Sequence, residues 1–349
     1  MLKNLIHIKK QYYFLLAGLI LLLILSGLNL WFGSVFLSWR DVFGSLFGTG
    51  SSPQVDVIIM EYRMPQVFTA IAVGMGLSVA GLLLQTVFRN LLAGPSVLGI
   101  SSGASLGVAV VVLAGSVFGT DMLQSTLMLN DVAVVTAAFV GAFVVMGLIL
   151  YVSGRIGNVV TVLIIGIMVG YTVSAMVGVL QYFSRAEELH DYVLWGLGSF
   201  AKNSLSRSEI LLVVTLLLVS VAGLLALPLN AMLLGENYAR SLGFNLKKYN
   251  TLILLLVGLL IALGTAFTGP IAFIGLAVPH LARAWLNTSD HKKLIPATLL
   301  TGANLALLCN LLARMPGMDI SLPINAVTSL IGAPVVIWVI VKRSKIKVA

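Results

Sequence analysis

About ten apolar runs, each close to the length of one membrane span, recur along this chain and leave it few possible folds. A helix of about 20 apolar residues crosses the hydrocarbon core of a bilayer. The runs lie at 13–33, 64–85, 96–114, 132–152, 159–183, 208–229, 250–269, 270–286, 294–313 and 323–341. Because 59% of the residues are hydrophobic and only 9% are charged, we predict an all-α protein, a polytopic transmembrane helical bundle of about ten transmembrane helices.

The spaces between the runs are short. No segment between them is long enough to fold alone, so we expect a single transmembrane domain over residues 1–349. The first run lacks a small-x-small cleavage site, and we expect it to be retained rather than removed as a signal peptide. The lone Cys309 excludes an intramolecular disulfide and is expected to be an inert buried thiol.

The net charge of +9 follows membrane topology rather than a nucleic-acid-binding surface. Placing the N-terminus inside puts Arg240, Lys247, Lys248 and most of the other Lys and Arg residues on the inner side, as the positive-inside rule requires. Of the acidic residues, only Glu236 and Asp290 fall inside. We therefore expect cytoplasmic N- and C-termini, a lipid membrane around the chain and no nucleic-acid partner.

A polar interruption between two apolar runs, at about 229–249, is expected to face the cytoplasm. Its pattern predicts a short helix. Glu236 lies at the start, where the helix dipole favours an anion, and Gly243 lies where a left-handed C-terminal cap would fall. Tyr238 and Leu242 are four residues apart and so share one face.

Two segments on the opposite side also have distinct patterns. Residues 34–61 contain a short amphipathic piece followed by a turn-rich linker. Residues 184–207 include an apolar stretch, WGLGSF at 195–200, that favours a short re-entrant or interfacial helix at the outer mouth.

Two rows of small residues recur at helical spacing. One row is Gly99, Gly103 and Gly107, and the other is Gly166, Gly170, Ser174 and Gly178. Each lies on one helix face and lets a neighbouring backbone approach closely. This spacing is compatible with two roles for the small residues. They could pack tightly against a neighbouring helix, or they could form a smooth wall of a wide translocation pathway whose helices move.

Several kinds of chemistry are excluded or disfavoured by the sequence. Gly-Lys never occurs as a dipeptide, so a Walker-type phosphate loop is absent and no ATP site is expected. The four His residues are scattered and no Cys pair exists, which disfavours a metal site. Ionisable residues are scarce within the runs, which argues against a secondary carrier driven by an ion gradient. A non-transporting membrane scaffold is the other alternative.

Ordered motifs along nearly the whole chain then carry a family resemblance. They are EYRMP at 61–65, QTVFRN at 85–90, LLAGPSVLGISSGA at 91–104, WGLGS at 195–199, ARSLG at 239–243, GPIAFIGLAVPHLAR at 269–283 and GAP at 332–334. Together they resemble the FecCD family, permease subunits of ABC importers for ferric siderophores, haem and cobalamin. The chain departs from that pattern at Leu91, Gly94 and Gln66, where the family usually has Pro, Asp and a second Arg.

The resemblance implies a type II ABC importer permease fold and a set of partners. These are a cytoplasmic ABC ATPase dimer, a second permease subunit that is either an identical copy or a paralogue, and an extracytoplasmic substrate-binding protein. The residues implied in coupling to the ATPase are Gly235, Glu236, Tyr238, Ala239, Arg240, Ser241, Leu242 and Gly243. Arg63 and Arg314 are implied in docking carboxylates of the binding protein, for which the Arg fork is suited. A membrane-interface anchor is the alternative for both.

Asn158 and Thr161 are candidates for the cytoplasmic gate by position alone, at the inner start of the helix that carries Gly166, whereas the segment of Trp195 resembles the outer gate of the family. The candidates for the translocation path and gate are Asn158, Thr161, Gly166, Gly170, Ser174 and Trp195. His280 is expected to bond to a neighbouring helix rather than to substrate, and Pro270, Pro279 and Pro334 to kink or start helices. Tyr182, Phe183 and Tyr192 fit an aromatic belt better than a macrocycle contact.

The functional expectation is therefore a permease subunit without catalytic residues, metal or cofactor of its own. ATP and Mg²⁺ would bind the partner ATPase. The cargo is expected to be an iron–siderophore or related metal chelate, with haem and cobalamin as alternatives, carried by alternating access across a bacterial cytoplasmic membrane.

Overall fold

The computed structural model describes residues 2–33, 35–49, 52–118, 131–156, 158–314 and 321–346, and every regular element in these ranges is helical. The elements, numbered here in chain order, are α1 (Leu2–Trp31), α2 (Trp39–Phe47), α3 (Pro53–Val57), a π-helical turn (Ile58–Arg63), α4 (Met64–Val87), a 3-10 turn (Pro95–Leu98), α5 (Ile100–Phe118), α6 (Asp131–Arg155), α7 (Val159–Phe183), α8 (Ala186–Gly196), α9 (Leu205–Leu224), α10 (Ala226–Leu233), α11 (Glu236–Ser241), α12 (Leu246–Thr268), α13 (Ile274–Leu286), α14 (His291–Ala313) and α15 (Ile324–Ile346).

Helices long and apolar enough to cross a membrane confirm the predicted class. Within the described ranges, seven stretches meet both criteria: Gln11–Trp31, Pro53–Val87, Asp131–Arg155, Val159–Phe183, Leu205–Leu224, Leu246–Thr268 and His291–Ala313. Shorter apolar helices add Ile100–Leu113 and Ile324–Trp338. With the 13-residue α13, these elements correspond to the predicted runs, so the protein is an all-α, multi-span membrane protein.

The boundaries differ from the prediction in two places. The helix that holds the second run begins at Pro53, because α3, the π-helical turn and α4 follow one another without a break, so residues 53–63 are helical although they lie before the predicted run. The run 208–229 is divided at Leu225 between α9 and α10.

The adjoining runs 250–269 and 270–286 are separate helices, as predicted. Gly269 (φ 75°) ends α12 and Phe273 (φ 66°) precedes α13, and such left-handed backbone cannot continue a helix. Pro270 lies in this connection, whereas Pro279 and Pro334 lie inside helices.

The chain forms two compact units, each built from discontinuous segments. The first comprises Met1–Leu82, Ser199–Asn230 and Ala272–Ala349, and the second comprises Leu83–Gly198 and Ala231–Ile271. The expectation of a single domain over 1–349 stays a prediction.

In the first unit, α14 is the central element. Its Asn304 side chain donates to the Gly18 carbonyl of α1 (2.9 Å), and Asn29 of α1 donates to the Leu307 carbonyl (3.1 Å). Ser78 of α4 donates to the Thr298 carbonyl of α14 (3.1 Å). Polar side chains bonded across helices in this way satisfy groups that lipid could not.

In the second unit, α5 and α6 cross at glycines. A Cβ added to Gly107 would clash with the Ala137 carbonyl, and one added to Gly103 would clash with the Gly141 carbonyl and Val145. The row of small residues on α5 is therefore a packing surface at these positions, since only glycine permits so close a backbone approach.

This contact predicts that Gly107→Ala destabilises the fold, by about 1–3 kcal/mol, because the added methyl must push two backbones apart. Thermal unfolding in detergent can be followed by a thiol-reactive dye, since the lone Cys309 is fully buried. Gly147→Ala on α6 is the matched control, because nothing lies within 4 Å of its added Cβ. Equal melting temperatures for the two variants would contradict the assigned packing.

Candidate functional site

The predicted short helix is present as α11, residues Glu236–Ser241. Gly235 (φ 118°) precedes it and Gly243 (φ 84°) follows its cap. The Phe244 N–H donates to the Ala239 carbonyl (3.1 Å) and the Gly243 N–H to the Arg240 carbonyl (2.9 Å). This is a Schellman motif, which requires a residue that tolerates left-handed backbone and so explains the glycine. The helix therefore has a defined end.

The charges of α11 favour its helical form. Glu236 lies in the first turn and Arg240 in the last, the arrangement that the helix dipole favours. Glu236 pairs with Arg240 (3.8 Å) and with Arg89 (3.9 Å). Since the three side chains are between 49% and 68% exposed, each pair contributes at most about 1 kcal/mol.

Arg89 is a residue of this site that the sequence analysis did not assign. Its backbone is left-handed (φ 47°), and its Nη2 donates to the Met232 carbonyl (3.4 Å) just before α11. It therefore links the end of α4 to the segment that carries α11. Its position in the QTVFRN motif could have marked Arg89 as a candidate, but no local sequence pattern predicts that it pairs with Glu236.

The outer face of α11 is apolar and open. Tyr238 is 48% exposed and Leu242 is 54% exposed, whereas Ala239 is fully buried. Ser241 donates its hydroxyl to the Tyr238 carbonyl (2.8 Å). The element is thus anchored on one side and presents two large apolar groups on the other.

A cavity of about 280 Å³ lies between α11 and the turn that joins α6 to α7. Its walls include Glu236 and Arg240 of α11, Arg155 at the end of α6, and Val159 and Val162 of α7. Asn158, a predicted gate residue, caps α7 by accepting hydrogen bonds from the Val160 (2.9 Å) and Thr161 (3.4 Å) N–H groups. The coupling and gate candidates are therefore neighbours in one unit.

The second row of small residues has two parts. Gly166 packs against the backbone of Val97 and Leu98, and Gly170 lies near Gly99 and Ser102. Further along α7, Ser174 is exposed and nothing lies within 4 Å of a Cβ added to Gly178. The first part is packed, whereas the second borders open space.

The aromatic residues of the predicted outer mouth are not one cluster. Tyr182 and Phe183 are exposed, but Tyr192 and Trp195 of α8 are buried, with ring centroids 6.2 Å apart. Burial raises the pKa of Tyr192, which is opposed by a side-chain hydrogen bond with Ser105. The segment 184–207 contains a short helix, α8, but the WGLGSF stretch that predicted one lies at its end and beyond it, since residues 197–200 are not helical. The gate role of Trp195 stays a prediction.

Arg63 is buried and satisfies the end of α1. Its Nη1 donates to the carbonyls of Leu30 (2.7 Å) and Trp31 (2.6 Å), and its Nη2 donates to the Val35 carbonyl (2.5 Å). The last carbonyls of a helix lack intrahelical partners and carry the negative end of its dipole. A cation at this position therefore stabilises the helix end.

Arg314 also donates to carbonyls at the end of α1. Its Nη1 donates to the carbonyls of Asn29 (2.7 Å) and Phe32 (3.3 Å), and Gln66 accepts from Nε (2.7 Å) and Nη2. Burial, together with the nearby Arg63 charge, lowers the pKa of Arg314 to about 10, so its guanidinium stays protonated at neutral pH. Gln66 thus acts as an acceptor for Arg314.

These contacts differ from the exposed positions assumed for docking. Both guanidinium groups bond to carbonyls of α1 and of the segment after it. Docking at Arg63 and Arg314 stays a prediction, and so does the alternative of a membrane-interface anchor.

These observations define a multi-span helical membrane protein that carries a short, capped and exposed helix between two of its spans. A model of the FecCD transport family matches residues 19–342. The chain therefore belongs to the FecCD transport family and is an ABC importer permease subunit of that type, a subunit that has no ATPase site of its own.

Individual relatives agree over nearly the full chain. The hemin transport system permease HmuU of Yersinia pestis is 36% identical, covering 93% of this chain and 94% of its own. The molybdate import permease MolB of Haemophilus influenzae is 32% identical (92% and 93%), and the vitamin B12 import permease BtuC of Escherichia coli O157:H7 is 30% identical (95% and 95%). A solved inward-facing structure assigned to the metal-chelate type of ABC transporter is 31% identical, covers 94% of this chain and 98% of its own, and has a TM-score of 0.81.

Proposed function

We propose that this subunit imports an iron–siderophore or related metal chelate by alternating access, driven through α11 by a cytoplasmic ABC ATPase dimer. The observation that carries the proposal is the form of α11. It is fixed by a Schellman cap and by pairs with Arg89 and Arg240, and it presents Tyr238 and Leu242 outward. Helix-in-groove docking uses such apolar anchors.

The cavity beside α11 supports a route for the movement. A displacement of α11 changes the cavity wall formed by Arg240, and the opposite wall is the start of α7, which Asn158 caps. Because α7 carries Gly166, Gly170 and Ser174, a tilt transmitted through its first turn would reach the proposed path. Rigid helices that pivot about packed ends are a common form of such transitions.

The proposed cargo is supported by the relatives and by the scarcity of charge within the spans. Hemin and metal-chelate transporters are among the similar proteins. A path with few buried charges would hold a bulky chelate weakly and release it readily. Haem and cobalamin are the alternative cargoes, and the same mechanism would carry them. Family membership favours an importer over the ion-coupled carrier and the scaffold.

The assembly follows from the same proposal. Two permease subunits, identical or paralogous, would form the path. An extracytoplasmic binding protein would deliver the cargo, and both termini would face the cytoplasm of a bacterial cell. The chain itself would bind no cofactor, and ATP and Mg²⁺ would act on the ATPase.

The proposal predicts ATP-dependent uptake in proteoliposomes that hold the permease, its ATPase and its binding protein. Ferric siderophore, hemin and cobalamin are compared as cargo at equal concentration, with an ATPase variant that binds but does not hydrolyse ATP as control. We expect the control to reduce uptake to background. Uptake that persists without ATPase would contradict the importer mechanism, and uptake of cobalamin alone would contradict the cargo.

A further inference from the structure

The short helix α2 carries a row of exposed aromatic side chains. Trp39, Phe43 and Phe47 are 42%, 54% and 74% exposed and follow one another at four-residue spacing, so they share one face. Their rings form a ladder, with centroids 6.2 Å apart from Trp39 to Phe43 and 6.3 Å from Phe43 to Phe47. Exposed apolar rows of this kind mark contact with a partner or a membrane.

The opposite face of α2 is fixed to the protein. Val42, Gly44 and Ser45 are buried. A capping box ties the start of the helix, since the Asp41 N–H donates to the Ser38 hydroxyl (3.2 Å) and the Asp41 carboxylate accepts from the Ser38 N–H (3.2 Å). The aromatic face is therefore held outward rather than free to turn inward.

The aromatic row continues the surface of a membrane span. Trp31, the last residue of α1, stacks on Trp39 with centroids 4.2 Å apart, and its indole N–H donates to the Leu37 carbonyl (2.9 Å). Only 17% of the most apolar window of the α1 span is buried within the protein, so most of this span's surface is open to its surroundings. Arg63 also holds the intervening segment, through the Val35 carbonyl.

We propose that α2 lies in the plane of the membrane interface, with Trp39, Phe43 and Phe47 inserted at the boundary between lipid headgroups and acyl chains. The occupant of this face is phospholipid. Aromatic rings are favoured at that depth, and amphipathic helices bind there through an apolar face. The exposed Arg40 follows Trp39 on the helix and is placed to reach lipid phosphates.

A protein partner is the weaker occupant on these observations. The ladder begins at Trp31, the last residue of the apolar α1 span, and continues onto α2 through the stacked Trp39 ring. The end of the α1 span therefore places α2 close to a membrane boundary.

Site-directed spin labelling tests this placement. Phe43→Cys and Phe47→Cys are made in a Cys309→Ala background, which removes the lone native thiol. The labelled proteins are reconstituted in nanodiscs of phosphatidylcholine and phosphatidylglycerol (3:1), and collision rates with oxygen and with a water-soluble nickel chelate are measured. Leu217→Cys, on the exposed side of the α9 span, is the lipid reference, and Ser289→Cys, exposed in the polar connection between α13 and α14, is the water reference.

We expect both α2 labels to be at least several-fold less accessible to nickel than the label at Ser289→Cys, with an oxygen-to-nickel ratio between those at Ser289→Cys and Leu217→Cys, as a position at the headgroup boundary requires. Nickel accessibility equal to the water reference would overturn the proposal. So would labels that become protected only when a substrate-binding protein is added, since that outcome assigns the face to protein docking.

A second measurement keeps the native thiol and is independent of labelling. Trp39→Phe is compared with the native chain in vesicles of brominated phosphatidylcholine. We expect the difference spectrum, which reports Trp39, to be quenched more strongly by bromine near the headgroup than by bromine deep in the chains. A Trp39 component that neither lipid quenches would overturn the placement.

Discussion

Tyr238→Ala combined with Leu242→Ala is expected to weaken binding of the partner ATPase by about 100-fold or more and to abolish ATP-dependent uptake. Each anchor of a docked helix contributes about 2 kcal/mol, and 1.4 kcal/mol corresponds to a tenfold change in Kd. Both side chains are about half exposed, so removing them breaks few contacts within the permease itself. Alanine also favours the helix, so α11 itself is retained.

The measurement is ATPase binding to the permease in nanodiscs, together with uptake and the melting temperature of the permease alone. Tyr12→Ala is the matched control, because Tyr12 of α1 is also highly exposed. Arg240→Glu is a second variant, which places two carboxylates at positions 236 and 240 and repels where the native pair attracts. Normal uptake in both α11 variants would refute the coupling role.

Arg63→Ala is expected to lower the stability of the permease alone by about 3 kcal/mol or more. The guanidinium is buried and donates to three carbonyls. Hydrogen bonds from a charged donor contribute about 1.5–3 kcal/mol each, and acceptors left buried without a partner cost further free energy. Arg63→Lys should recover only part of the loss, since one ammonium replaces the fork at a single point.

Thermal unfolding read through Cys309 separates this structural role from docking. If Arg63 serves the α1 terminus, the melting temperature falls by about 5 °C or more with no partner present. If it serves docking alone, the melting temperature is unchanged and only the stimulation by binding protein is lost. Arg40→Ala is the control, because that Arg is exposed on α2.

Most of the fold could be predicted from the sequence. Ten apolar runs gave the membrane class, and Gly243 with Glu236 gave the short helix with its left-handed end. Both predictions depend on residues that are neighbours in the sequence. The length of an apolar run predicts a span, and a glycine at one position permits the left-handed backbone that ends a helix. The motifs at 61–104, 195–199 and 239–283 pointed to the family for the same reason, since they are read along the chain.

The roles of single polar residues could not be read in that way. Arg63 and Arg314 looked like surface arginines, yet both bond to the end of α1. Arg89 looked like a positive-inside charge, yet it faces Glu236. The difference between the packed Gly166 and the open Gly178 is equally invisible at constant spacing.

The sequence by itself therefore determined that this chain crosses the membrane many times, and it located the polar segment at about 229–249 that contains α11. Only the tertiary structure decided which buried carbonyls each arginine satisfies, and so whether it is available to a partner. The physical reason is that transfer into lipid depends on the composition of one short segment, whereas a hydrogen bond joins groups that the fold brings together, such as Arg314 and Asn29, 285 positions apart.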